Sequence, residues 1–111
     1  RVINDLRDFR SRVMTFGDSR FALDRGGMKH ILVRHHPGYW DGSKKGDQSF
    51  FNEKMSIEVI ADALEEVMRQ NRDEISKRGS TGMYQISGQV NGENYRLGIK
   101  NGRIRQFFPV Y

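Results

Sequence analysis

All three histidines of the chain fall within seven residues, as His30, His35 and His36. Histidine is the side chain that most readily gives and takes a proton near neutral pH, so the cluster is the natural place to look for acid–base chemistry. On a helix His30 and Arg34 lie four apart on one face, and His35 is offset from Arg34 by about 100 degrees. A cation beside a histidine lowers its pKa and frees it to act as a base. Metal-free cleavage of an RNA phosphodiester needs two such groups, a base for the 2′-hydroxyl and an acid for the leaving 5′-oxygen. His35 is then the principal proton-transfer candidate and His30 the second. His36, just ahead of Pro37, reads as a cap on the helix C-terminus. The acidic alternatives Asp41, Asp47 and Glu53 would need raised pKa values to donate a proton. Zinc ligation by the histidines with Asp41 is the competing use, but no HExxH spacing exists and adjacent His35 and His36 leave different sides of a helix. No metal is expected.

The second constellation is cationic. The net charge of +5 is confined to the C-terminal third, because residues 1–74 carry thirteen basic and thirteen acidic side chains. Residues 75–111 hold Lys77, Arg78, Arg96, Lys100, Arg103 and Arg105 against Glu93 alone. A one-sided excess points to a polyanion, nucleic acid by default. Asn91-Gly92 and Asn101-Gly102 are type I′ hairpin signals and predict a three-stranded meander with strands near 83–90, 93–100 and 103–109. Two-residue turns align Ile86–Leu97–Gln106 and Gly88–Tyr95–Phe108 on the apolar face. The opposite face then carries Gln85, Ser87, Gln89, Asn94, Arg96, Lys100, Arg103, Arg105 and Phe107. Cations there can hold phosphates, Phe107 can stack on a base, and Arg96 and Arg105 stand where negative charge grows on a pentavalent phosphorus. An ordinary solvated sheet face is the plain alternative. In the glycine-rich stretch 38–48, Tyr39 and Trp40 beside Lys44, Lys45 and Gln48 could clamp a single strand, or Trp40 could cover the edge of the core.

These groups need a scaffold. A chain of 111 residues suits one domain with a single modest core. Leu6, Phe9, Val13 and Met14 recur at helical spacing and predict a helix over 2–14. A loop follows over 16–27, then a short helix near 27–36, where the alternation of Ile31 and Val33 leaves a strand as the other reading, and a longer helix over 56–74 with Ser56 as its N-cap. Ile57, Ile60, Ala61, Leu64, Val67 and Met68 form the apolar stripe of that last helix, which should pack on the sheet. The expected class is therefore α+β, with N-terminal helices on a C-terminal antiparallel meander, residues 1–27 forming an N-terminal helix and loop and 28–111 a catalytic core. Absence of cysteine excludes disulfides and thiolate metal sites. No apolar run has the length of a membrane helix and no signal segment is present. Walker, GxSxG and dinucleotide motifs are missing. A chain beginning at Arg1 reads as a fragment of a longer protein.

The order "KHILVRHHPGYW", "KKGDQSFF", "MSIEVIADALEEVM" and "YQISGQVNGENYRLGIKNGRIRQFFPVY" resembles the C-terminal toxin domains of bacterial polymorphic and contact-dependent growth inhibition systems. More narrowly it is similar to the barnase–EndoU–colicin–RelE superfamily of RNases and its group called polymorphic toxin type 35. The resemblance covers roughly residues 28–111. It implies an antiparallel sheet holding RNA on its free face and metal-independent transesterification to a 2′,3′-cyclic phosphate, commonly on tRNA. It also implies a cognate immunity protein and, in some members, elongation factor Tu as a protein cofactor. Delivery would be by secretion or from the producer's surface, with action in the target bacterium's cytoplasm. By position it places His30, Arg34 and His35 in the site, Ser49 beside it, and Arg103, Arg105 and Gln106 on the far wall. Many relatives carry Thr where Gln106 stands, and the meander register puts Gln106 on the apolar face. Either a bulge turns it outward or the register slips by one. A non-enzymatic module gripping RNA or an acidic protein with the same face is the alternative function.

Overall fold

The computed structural model describes residues 1–42 and 48–111. Its elements run α1 (Val2–Asp5), β1 (Arg12–Phe16), β2 (Ser19–Leu23), α2 (Arg25–His35), α3 (Ile57–Gln70), α4 (Arg72–Arg78), β3 (Met83–Val90), β4 (Glu93–Lys100) and β5 (Arg103–Val110). The class is α+β, as expected. The sheet has five strands in the order β1-β2-β5-β4-β3, where the sequence shows three.

The meander forms where the turn residues place it. Asn91, Gly92, Asn101 and Gly102 all have positive φ, the requirement of a type I′ turn. Val90 pairs with Glu93, Ile86 with Leu97, and Lys100 with Arg103. α3 lays Ile60, Ala61, Leu64, Val67 and Met68 into the core against β3, where Gly88 lets Val67 approach. The Ser56 hydroxyl caps α3 by accepting from Val59 N–H at 3.1 Å.

Two helix expectations fail for identifiable reasons. The helix expected over 2–14 ends at Asp5, and Arg12–Phe16 is a strand. Leu6, Phe9 and Met14 are buried as their apolarity demands, but Met14 faces inward from an edge hairpin with Phe21 opposite it. The stretch expected as loop contains β2, closed onto β1 around Gly17-Asp18, with Gly17 at positive φ. Gly-Asp between two short runs is itself a hairpin signal. The second failure is the single helix over 56–74, which breaks at Asn71. The Asn71 amide donates to Val67 O at 2.9 Å and to Ser87 O at 2.8 Å, so the side chain competes for helix carbonyls and ties the break to β3. Arg12 anchors the hairpin to α3 through Glu58, Asp62 and Glu65, which recur on one helix face.

Candidate active site

The site is built along the outer edge of β5. β2 covers the start of that edge, pairing in parallel at Ala22 and Arg103. The chain then turns at Asp24, whose carboxylate accepts from Gly27 N–H at 2.7 Å, and α2 continues along the same edge. Gly27 sits so close that a Cβ there would lie 2.7 Å from Ile104 O. Further along, the Ser49 hydroxyl donates to Pro109 O at 2.5 Å. α2 therefore runs beside the open sheet face and carries His30, Arg34 and His35 to its border.

His35 is held on three sides. Its ring stacks on Phe108, with centroids 5.1 Å apart, and meets Phe51 edge-on. Its Nδ1 lies 2.8 Å from Ser49 O, and a carbonyl only accepts, so Nδ1 carries the hydrogen and Nε2 keeps a lone pair. Burial pushes its pKa below the ordinary 6.5, and Arg34 and His30 push the same way, against the Ser49 bond. For His30, partial burial comes first, then Arg34 and Arg105, and all three lower its pKa against the pull of Asp41. Both rings thus favour the neutral form.

Facing them is a β-bulge. The β4–β5 pairing shifts between Gly98 and Ile99, so that Gly98 opposes Gln106 while Ile99 opposes Ile104. The extra residue is Arg105, and both Arg105 and Gln106 emerge on the open face. His30, Arg103, Arg105 and Gln106, with Asp24, Gly26 and Gly27, line a depression of about 440 Å³. Gln106 also accepts from the Gln85 amide at 3.3 Å. A second depression of about 540 Å³ is lined by Gln48, Ser49, Arg96, Phe108 and Tyr111, among others. Among the described residues, the buried Arg34 Nε has no hydrogen-bond partner. Paired histidines bordering a strip of cations are equipped to move protons around a phosphate.

A family model described as bacterial EndoU nuclease matches residues 26–111. The chain belongs to the bacterial EndoU nuclease family. It is accordingly a ribonuclease, with RNA as its substrate. No curated protein and no solved structure matches it. The match begins inside α2, so α1 and the β1–β2 hairpin lie outside the part this EndoU nuclease shares with the family model.

Within the nuclease, His30, Arg105 and Gln106 line one depression and Arg34 stands near enough to His30 and His35 to lower both pKa values, while other candidates are placed differently. Phe107 is fully buried, stacked on Tyr95, and cannot meet a base; Phe108 occupies the face instead. This corrects the expected register, in which Gln106 was apolar-facing and Phe108 inward: Leu97 opposes Phe107 and Tyr95 opposes Pro109. The bulge moves every residue after Ile104 by one. Tyr39 packs against His36 and donates to Asp5 at 2.5 Å, which makes it part of the α1 contact rather than a clamp. Trp40 meets Phe50 edge-on. The Ser49 hydroxyl is spent on Pro109, and its carbonyl orients His35. Gln48 likewise donates to Arg34 O. Lys100 and Arg103 form the far end of the face, and Arg103 is 3.7 Å from Asp24. His36 is the buried C-cap expected of it: Nδ1 accepts from Gly38 N–H and Nε2 donates to Met55 O at 2.9 Å. Lys44, Lys45 and Asp47 lie outside the described residues. Among those described, no group of three or more His, Asp or Glu converges to hold a metal. Phe108, Tyr111 and Asp24 escaped the sequence reading. Only the bulge would have shown Phe108, and one extra residue leaves no mark on hydrophobic alternation.

Proposed function

We propose that this domain is an antibacterial toxin, an endoribonuclease that cuts RNA, and tRNA in particular, by metal-independent transesterification. His35 Nε2 takes the proton of the 2′-hydroxyl, O2′ bonds to phosphorus, and the P–O5′ bond breaks. His30 gives its proton to O5′, leaving a 2′,3′-cyclic phosphate and a free 5′-hydroxyl. Arg34, Arg105 and Arg96 balance the charge on the pentavalent phosphorus, and Gln106 holds a non-bridging oxygen. The reading rests on one observation, the pinned tautomer of His35 beside Arg34, which supports a base with its lone pair free at neutral pH. His30 suits the acid role because a bound phosphate opposes the cations that depress it, raising its pKa once substrate arrives.

The resemblance to polymorphic and contact-dependent inhibition toxins carries the rest of the proposal. The toxin is released by or displayed on its producer and acts in the cytoplasm of the target bacterium. Its producer holds an immunity protein that presents Asp and Glu to the basic face, and elongation factor Tu serves as protein cofactor. Polymorphic toxin type 35 is the proposed group.

Incubation with total tRNA in EDTA tests the chemistry. Cut ends bearing cyclic phosphate are expected, with His35→Ala slowed by about 10²–10⁴-fold at little change in RNA affinity. Cleavage abolished by EDTA, or full cleavage by His35→Ala, overturns the mechanism. RNA left intact under every condition, translation factors included, returns the non-enzymatic module.

A further inference from the structure

The β1–β2 hairpin lies outside the family match yet is hydrogen-bonded into the same sheet. Ala22 N–H donates to Gly102 O at 2.8 Å, and Ala22 pairs in register with Arg103. Met14 opposite Phe21 marks the buried face of the hairpin, so the alternate residues Val13, Thr15, Arg20 and Ala22 continue the open face that carries Arg103 and Arg105. Arg20 stands beside the β4–β5 turn, where a Cβ on Gly102 would lie 3.0 Å from Arg20 O. It is exposed, and among the described residues no carboxylate pairs with it, whereas Arg12 holds three and Arg69 and Arg78 one each. Lys100 and Arg103 border the same end of the sheet.

The distance is informative. Phe108, under His35, lies five residues along β5 from Arg103, and β2 carries the track two residues further to Arg20. At about 3.3 Å per residue this is roughly 20 Å from the stacked histidine. A dinucleotide cannot span it, but a strand of about four nucleotides or more can. We propose that the N-terminal hairpin is a remote substrate-binding site, in which Arg20 holds a phosphate of a single RNA strand several nucleotides from the bond that is cut. Val13 and Ala22, paired across the hairpin, offer that strand a small apolar floor. The inference rests on the nuclease reading of the open face and deepens it: the substrate is a single strand that runs along β5 and on to β2.

Binding measured on the His35→Ala protein separates this from catalysis. The probe is a fluorescent single-stranded RNA of roughly 30 nucleotides, titrated at several salt concentrations. Arg20→Gln should lower the slope of log affinity against log salt by about 0.7, one released counterion on a single strand. Arg72→Gln, on α4 away from the face, should not change it. In the otherwise unchanged chain, Arg20→Gln should raise KM on the long RNA and spare kcat, while turnover of a dinucleotide mixture stays the same. Equal slopes for Arg20→Gln and Arg72→Gln overturn the inference and leave the nuclease reading standing. An unchanged KM on the long RNA overturns it equally. Absence of any cleavage with the slope difference intact would sink the nuclease reading alone.

Discussion

Gly27→Ala tests whether contact between α2 and β5 sets the catalytic geometry. In an ordinary helix, replacing glycine by alanine stabilises by about 1 kcal/mol. Here the new Cβ would stand 2.7 Å from Ile104 O and 3.2 Å from the Asp24 carboxylate, and ordinary contact begins at 3.4 Å. The Ile104 oxygen is backbone, so no side-chain rotation relieves the clash. α2 must withdraw from β5 by roughly 0.7 Å, the difference between those distances. Overpacking of this kind costs about 1–3 kcal/mol, which outweighs the propensity gain. Net destabilisation of about 1 kcal/mol follows, or several degrees in Tm for a domain of this size. The same displacement carries His30, Arg34 and His35 away from Arg105 and Gln106. A 1 Å misplacement can cost about 100-fold, so kcat should fall on the order of tenfold or more. Gly26→Ala is the control, because its Cβ would find only Asp24 Oδ1, at 3.6 Å. That variant should be neutral or slightly stabilising, with any loss of activity well below that of Gly27→Ala. Urea melts followed by circular dichroism, with initial rates on RNA, read both effects. A Gly27→Ala protein as stable as Gly26→Ala and equally active would refute the argument that this contact positions the histidines.

Three further outcomes are expected. Because the pKa values of His30 and His35 are both depressed from 6.5, their ring protons should titrate below pH 6.5 by NMR, and Arg34→Gln should raise both midpoints. The unfolded chain then binds protons that the native rings resist, so these two groups add stability above about pH 6.5 and lose it as pH falls through their native midpoints; denaturant melts across that range check the sign. His36→Ala should cost about 1–3 kcal/mol by orphaning Met55 O and Gly38 N–H, with turnover per folded molecule retained, as melts and rates on one preparation would show. Gln70→Ala should cost about 0.5–1.5 kcal/mol and promote aggregation by light scattering, because the Gln70 amide both donates to Gln89 O and accepts from Gln89 N–H along the edge of β3 that no strand pairs with among the described residues.

What the sequence discloses follows from how local the signals are. The meander is legible because Asn-Gly turns depend on two residues with positive φ, and α3 is legible because its stripe and its Ser56 cap lie within one segment. The histidine run is legible as a cluster, and the division of labour between His36 and its neighbours follows from Pro37 ending the helix. The hairpin was hidden because Leu6, Phe9 and Met14 fit a helical spacing while being buried from an irregular segment and a strand. Its one local clue, Gly17-Asp18, is short. The orientation of His35 depends on Ser49 and Phe108, at 14 and 73 residues' separation, and no pattern within a helix reports on either.

The bulge shows why the working face resists reading more than the core does. A regular β5 would alternate inward and outward, so only one of Arg105 and Gln106 could reach the open side. The extra residue lets both emerge and returns Phe107 to the core, where it stacks on Tyr95 at 4.9 Å. Gly98 accommodates this, because a Cβ there would stand 3.1–3.2 Å from the Gln106 side chain. The arrangement therefore couples a glycine on β4 to a guanidinium and an amide beside His30. Apolar packing fixes Ile104 and Phe107 on either side of the bulge, and the two polar residues between them have one direction left to point. Alternation is broken at the place where Arg105 and Gln106 stand side by side on the open face. A sequence pattern that assumes alternation will misplace that pair while placing its buried neighbours within a residue of the truth.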